Sequence, residues 1–113
     1  MFGRDPELFG TRNRTSVLLA IRLLTETYPT ELAATLRLRL FSVQSILKSL
    51  ERETVVVSRL FGRTRCVSLN PRYFAHEELS ALLWKIGRKD VALQTLLGAL
   101  RRRPRRVGKP GLG

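Results

Sequence analysis

Apolar residues recur along this chain with two different periods, and the change between them divides it into elements. The helical period of about 3.6 residues first appears from about residue 13, where Val17, Ile21 and Leu24 fall on one face. Neighbouring leucines widen that apolar stripe, which favours a central helix that packs on several sides. Pro29 is predicted to end this helix, because proline disfavours helical geometry in the residue before it.

Two more helices are predicted in quick succession, separated by three or four turn residues. The first covers about residues 31–36, with Thr30 as its N-cap. The second covers residues 40–53 and has the cleanest periodicity in the chain. Its apolar positions follow the i, i+3, i+4, i+7 rule at Val43, Ile46, Leu47 and Leu50. This order predicts a helix-turn-helix.

After the third helix the apolar period changes to two. Residues 55–60 and 65–69 are β-branched or alternating, and residues 61–64 can turn between them, which predicts a β-hairpin. Helical spacing returns over 74–87 and 90–102, with Gly87 predicted as a C-terminal cap and Asp90 as an N-terminal cap. The predicted fold is therefore mainly α with a small β-hairpin, a winged helix-turn-helix followed by C-terminal helices.

Four segments follow from these elements. Residues 1–11 are predicted to form a flexible N-terminal arm and residues 12–72 the winged helix-turn-helix. Residues 73–103 hold the C-terminal helices, and the Arg-, Pro- and Gly-rich residues 104–113 are predicted to be a disordered basic tail.

The charge balance indicates which class of molecule this protein binds. The 113 residues suffice for one domain, and the 43% of apolar residues suffice for a packed core. Lys and Arg number 21 against 9 Asp and Glu, which gives a formal net charge of +12. Such an excess indicates a polyanionic partner, and nucleic acid is the first expectation.

Catalysis, metal binding and membrane insertion have no support in the sequence. Cys66 is the only cysteine and His76 the only histidine, so one chain can form neither a disulfide nor a zinc site. Cys66 is expected to be a small buried thiol rather than a redox sensor. Glu77 and Glu78 are adjacent on a helix and cannot form a catalytic carboxylate pair. We therefore expect no enzyme activity, no cofactor and no metal.

The location expected from the sequence is cytoplasmic. No apolar stretch reaches the length of a membrane span, and the first residues lack the apolar run of a signal peptide. No membrane partner is expected either.

Residues 31–56 resemble the winged helix-turn-helix of bacterial transcription regulators, most nearly the arsenical-repressor (ArsR) and MarR-like families. The resemblance is carried by Glu31-Leu32-Ala33, Leu36, Leu38, Ser42-Val43 and Leu47-Lys48-Ser49-Leu50-Glu51. The chain departs from the family pattern at three turn positions. Arg37 and Thr54 stand where glycine is usual, and Arg39 stands where a Ser or Thr cap is usual. A left-handed turn without glycine costs about 1 kcal/mol, so either turn is open to a different geometry.

The resemblance implies a sequence-specific regulator that binds double-stranded DNA through the third helix and the hairpin. In that pose the third helix presents an outward polar face made of Ser42, Gln44, Ser45, Lys48, Ser49 and Arg52. Gln44 suits adenine, and Lys48 suits guanine or phosphate. Arginines of the turn and hairpin are expected to contact phosphates or the minor groove, namely Arg37, Arg39, Arg59, Arg63 and Arg65.

The resemblance also implies a homodimer formed through the C-terminal helices. Three helices and a hairpin cannot easily bury two further leucine stripes, which would suit a two-fold interface. The residues predicted for it are Leu79, Leu82, Leu83, Ile86, Leu93, Leu96, Leu97 and Leu100. The alternative is that these helices pack back on their own domain.

Two other functions remain compatible with the sequence. A basic domain that binds structured RNA or the ribosome would carry the same charge. A winged helix used only for protein–protein association would show the same apolar pattern.

Overall fold

The computed structural model describes residues 9–101 of the chain, and the side chains among them as far as residue 99. The predicted basic tail lies wholly outside these residues, and the predicted N-terminal arm lies mostly outside them. The elements run in the order α1 (Arg12–Leu24), α2 (Pro29–Leu36), α3 (Leu40–Arg52), β1 (Val56–Phe61), β2 (Thr64–Leu69), α4 (His76–Lys89) and α5 (Val91–Arg101). The predicted mainly α fold with one hairpin is confirmed.

Helix α1 lies at the centre of the domain. Residues 17–21 are all buried, because α1 packs against α2, α3, α4 and β2. It ends at Leu24, earlier than predicted. The chain bends at Thr25, which has φ 70°, and Thr27 then pairs with Val67 of β2 through N···O distances of 3.0 and 2.7 Å. These hydrogen bonds explain why the chain leaves the helix before Pro29.

Helix α2 begins two residues earlier than predicted. Pro29 occupies its first turn, where the fixed φ of proline fits and its missing N–H is not needed. The predicted capping role of Thr30 is therefore wrong, since the cap position belongs to Tyr28.

The turns on either side of α3 keep left-handed geometry without glycine. Arg37 has φ 59° and Thr54 has φ 64°. Each turn is closed by backbone hydrogen bonds, among them Leu38 N to Ala33 O at 2.9 Å and Thr54 N to Glu51 O at 3.0 Å. Arg39 takes the N-cap position of α3 and makes no side-chain capping bond.

The antiparallel strands β1 and β2 form the wing, residues 56–69, with a two-residue turn at Gly62-Arg63. Gly62 has φ +64°, a conformation that suits glycine. Val56, Val67 and Leu69 are buried and fix one side of the wing to the core; we call this side its inner face. The wing is also tied to α3, because the Ser58 hydroxyl donates to the Glu51 carboxylate.

The C-terminal helices pack on their own domain. Helix α4 contacts α1, and α5 contacts α2 and α4. Leu83, Leu93 and Leu97 are buried in the domain core, so these three predicted dimerisation residues are not on the surface. Leu79, Ile86 and Leu96 are half-buried and Leu82 is exposed, whereas the side chain of Leu100 lies outside the described ones.

Gly87 does not end α4, which continues to Lys89, so the predicted capping role is wrong. Its role is packing: a Cβ placed at Gly87 would lie 2.9 Å from Cδ1 of Leu23 on α1. The predicted cap at Asp90 is confirmed, because the Leu93 amide donates to Asp90 Oδ1 at 3.1 Å. Within the described part of the chain, none of the helices is both long enough and apolar enough to cross a membrane.

Candidate nucleic-acid interface

Helix α3 presents one continuous exposed line of side chains away from the core. Its members, spaced at i, i+4, i+7 and i+11, are Phe41, Ser45, Lys48 and Arg52, and we call them the central line of α3. The opposite side of the helix carries the buried residues Val43, Leu47 and Leu50. The predicted outward position is therefore confirmed for Ser45, Lys48 and Arg52, and the predicted inward position for Val43, Leu47 and Leu50.

The remaining predicted contacts of α3 flank this line. Gln44 is exposed on the side towards the wing. Ser42 and Ser49 are half-buried, and the Ser49 hydroxyl accepts a hydrogen bond from the Arg14 guanidinium at 2.9 Å. Arg14 also pairs with Glu53 at 2.7 Å. Ser49 is thus held by α1, and of the predicted polar residues it is the least available to a ligand.

The three predicted arginines of the wing differ in their partners. Arg59 forms an exposed ion pair with Glu26 at 2.9 Å, whereas Arg65 approaches the Glu51 carboxylate of α3 at 3.8 Å. Arg63 is exposed in the turn. Exposed ion pairs are weak, so both paired arginines can exchange their carboxylate for a phosphate at small cost.

A groove of about 310 Å³ separates α3 from the wing. Gln44, Lys48, Glu51 and Arg65 contribute polar side chains to it, and Pro29 at the start of α2 also lines it. Glu51 is anionic and lies 3.8 Å from the cationic Arg65. The groove therefore offers hydrogen-bond donors, and Lys48 adds a positive charge that no ion pair among the described residues neutralises.

Several predicted contact residues carry charge that is not neutralised locally. Among the described residues, no ion pair is formed by Arg37, Arg39, Lys48, Arg52 or Arg63, and all five are exposed. They extend from the turn before α3, along the helix, to the tip of the wing. An anion that follows this path meets a cation in each element.

Two exposed apolar residues of this surface were missed by the sequence reasoning. Phe41 on the central line is 78% exposed, and Leu60 near the tip of the wing is 72% exposed. The available signal was that Phe41 lies off the apolar stripe that begins at Val43. An apolar side chain at a groove-reading position can contact a thymine methyl group.

The described residues contain no cluster of three or more His, Cys, Asp or Glu side chains that could hold a metal ion. A separate cleft of about 460 Å³ lies between the start of α1 and the start of α5, lined mainly by apolar residues that include Leu36, Leu38 and Leu96.

Cys66 lies on β2 opposite Arg59 and is half-buried rather than fully buried as expected. Burial raises the pKa of its thiol, and the Glu26 carboxylate acts in the same direction while Arg59 opposes them. A raised pKa leaves the thiol protonated at neutral pH, and the thiolate is the reactive form. The structure thus favours an unreactive thiol over a redox sensor.

We expect Cys66 in the folded protein to react with iodoacetamide more slowly at pH 8 than Cys66 in the urea-unfolded chain. The rate in the folded protein should reach its plateau at a higher pH, because its thiolate forms later. Rates measured by mass spectrometry between pH 7 and 10 check this. Equal pH profiles for the folded and unfolded chains would contradict it.

Comparison with known proteins bears on the fold. No protein-family model matches the chain, and no curated protein matches it. The solved structure of the oxidised form of MarR from E. coli is similar, with a TM-score of 0.58 and 20% sequence identity over 87% of this chain and 70% of that chain. The likeness confirms the MarR-like winged-helix fold that the sequence predicted. The resemblance to the arsenical-repressor family stays a prediction.

Proposed function

We propose that this protein is a homodimeric transcription regulator that binds double-stranded DNA sequence-specifically through α3 and the wing. The observation that carries the proposal is the side-by-side placement of two exposed cationic elements. Arg65 of the wing lies 3.8 Å from Glu51 on α3, on the side of that helix where Gln44 and Lys48 are exposed. A helix of this width fits the major groove while the wing reaches the neighbouring backbone.

Different residues would perform the positioning and the reading. The exposed Arg37 and Arg39 lie just before α3, whose start has no side-chain cap and whose free backbone amides also favour a phosphate. Gln44 is placed to pair with adenine, and Lys48 with guanine or phosphate. Arg63 at the tip of the wing is placed to contact the minor groove or its phosphates. No catalytic step belongs to this function, and it takes place in the cytoplasm.

Selection of bound duplexes from a random DNA pool tests the proposal. We expect a palindromic consensus whose half-sites lie about one helical turn apart, since a two-fold dimer reads two equivalent sites. Folded RNA should compete poorly at equal salt concentration. Preference for folded RNA, or no nucleic-acid binding at all, would refute the proposal in favour of an RNA-binding or protein-association role.

The homodimer is supported by apolar side chains that the domain leaves exposed on its C-terminal helices. Leu82 and Trp84 on α4 are each 42% exposed, and Val91 at the start of α5 is 76% exposed. Exposed apolar residues on adjacent elements are typical of an interface between protein chains. A second copy of the chain is the proposed occupant, because the proposed reading of a two-fold DNA site would need two equivalent α3 helices. Sedimentation at micromolar concentration should give the mass of two chains.

Replacing Gln44 by Ala should reduce discrimination between the selected sequence and single-base variants by about 1–3 kcal/mol, the value of one bidentate contact to adenine. Binding to random duplex should change little. Ser49→Ala is the matched control, because the Ser49 hydroxyl is already bound by Arg14. Competition titrations with the variant duplexes measure both effects. If Ser49→Ala relaxed the sequence preference and Gln44→Ala did not, the assignment of these two residues would be wrong.

A further inference from the structure

The tip of the wing combines exposed apolar side chains with a high density of arginine. Leu60 is 72% exposed and Phe61 is 54% exposed, and Phe61 directly precedes the two-residue turn that carries Arg63. Strands in a protruding hairpin usually keep polar residues at such positions. Two large exposed apolar residues at the tip of the cationic wing therefore indicate contact with a partner molecule.

The register of the hairpin places these two residues on opposite faces. Leu60 is paired with Arg65, and this pair continues the inner face of the wing. On that face Arg65 and Ser58 both contact Glu51 of α3. Phe61 is paired with Thr64 on the outer face. There the Arg59 guanidinium lies 5.3 Å from the centre of the Phe61 ring. Leu60 thus faces the same side as the groove between α3 and the wing, whereas Phe61 faces away from it.

We propose that Leu60 is an apolar wedge that enters the minor groove and separates two stacked base pairs, so that the protein bends the DNA it reads. This rests on the proposed function. Side chains such as Leu and Phe, inserted between base steps from the minor groove, kink a duplex by about 20–90°. The result is a second activity, DNA deformation, located in the wing rather than in α3.

The chemistry around Leu60 points to duplex DNA as its occupant. Arg65 is its cross-strand partner and Arg63 lies in the turn at the end of the wing, and two arginines disfavour a purely apolar or a basic protein surface. A duplex offers an anionic rim that attracts both arginines and an apolar stack of bases inside that rim. Pyrimidine–purine steps unstack most easily, so the wedge also supplies specificity at a position that no polar side chain contacts.

The test measures DNA bending and affinity on the same complex. A duplex from the random-pool selection carries a fluorescence donor and acceptor at its two ends. A second set carries 2-aminopurine at each pyrimidine–purine step in turn, because its emission rises when the base unstacks. Wild type, Leu60→Ser, Leu60→Met and Phe61→Ser are compared. Phe61→Ser is the matched control, since it removes an adjacent apolar side chain from the opposite face of the wing.

We expect wild type, Leu60→Met and Phe61→Ser to shorten the end-to-end distance and to raise the 2-aminopurine emission at one step. Leu60→Ser should lose most of both signals, with at most a roughly tenfold loss of affinity. A straight wild-type complex, or equal signals for wild type and Leu60→Ser, would overturn the wedge and leave DNA binding intact. Loss of bending in Phe61→Ser alone would overturn it as well. Failure of all four proteins to bind duplex would instead overturn the proposed function, and the wedge with it.

Discussion

Reversing the charges of Lys48 and Arg52 together is expected to lower the affinity for the selected duplex by roughly 100-fold or more near 0.1 M salt. Both side chains lie on the central line of α3, and neither forms an ion pair among the described residues. Their charge is therefore available to phosphates. If each neutralises one phosphate, the negative slope of log affinity against log salt should also become less steep by about 2 in the double variant. Fluorescence anisotropy titrations at several salt concentrations measure both quantities.

The matched control reverses Lys85 and Arg88, two exposed cations on α4. Each double variant lowers the formal net charge by four, two for each reversed side chain. The control therefore separates a contact surface from long-range attraction by the whole basic protein. We expect the control to lose less than tenfold in affinity and to keep its salt slope. Equal losses in the two variants would mean that α3 is not the contact surface. Sedimentation checks that both variants keep their mass.

Local periodicity was sufficient to predict the bounds of α3, the helix that carries the residues proposed to contact DNA bases. The predicted span of residues 40–53 differs from Leu40–Arg52 by one residue. The reason is physical: burial of one face against α1, α2 and the wing requires apolar side chains at helical spacing, and this pattern is written locally. The exposed side follows by geometry, which is why Ser45, Lys48 and Arg52 were placed correctly.

Contacts between distant segments could not be predicted from the same pattern. A glycine that ends a helix and a glycine that admits a close neighbour look alike in sequence, so nothing local revealed that Gly87 packs on Leu23. The same holds for Ser49, whose hydroxyl is occupied by Arg14 from 35 residues away. Such contacts depend on how helices are arranged in space, and a single sequence does not contain that arrangement.

The two left-handed turns show a different limit, which is energetic. The strain at Arg37 or Thr54 is about 1 kcal/mol, a value comparable to one backbone hydrogen bond. In each turn such bonds are formed, as in Leu38 N to Ala33 O. The strain and the hydrogen bonds are of similar size and oppose each other, so the residue type alone could not predict the geometry of these turns. The turn before α3 therefore keeps its left-handed geometry with an arginine added at its surface.

The sequence could not decide whether the leucine stripes of α4 and α5 form a dimer interface or part of the domain core, since both require the same spacing. The structure divides the stripe between neighbours: Leu83 is 0% exposed in the core, whereas Leu82 is 42% exposed. Helix α4 packs against α1 through the buried side, and Leu82 and Trp84 stay partly exposed. The fold-back on the same domain thus holds for Leu83, whereas an interface at Leu82 stays a proposal.

We therefore expect substitutions at Leu83 and Leu82 to have different effects, the first on folding and the second on the proposed homodimer. Leu83→Ala should lower the free energy of unfolding by about 2–5 kcal/mol, because it opens a cavity at a fully buried position. For a domain of this size the melting temperature should decrease by roughly 10 °C or more.

Leu82→Ala should lower the free energy of unfolding of the single chain by about 1 kcal/mol or less, but it should weaken the homodimer. Urea titrations at low protein concentration measure the first effect, and sedimentation across a concentration series measures the second. If Leu83→Ala dissociated the dimer without destabilising the fold, α4 would face its partner with the side that the structure buries, and the interface would have to be assigned anew.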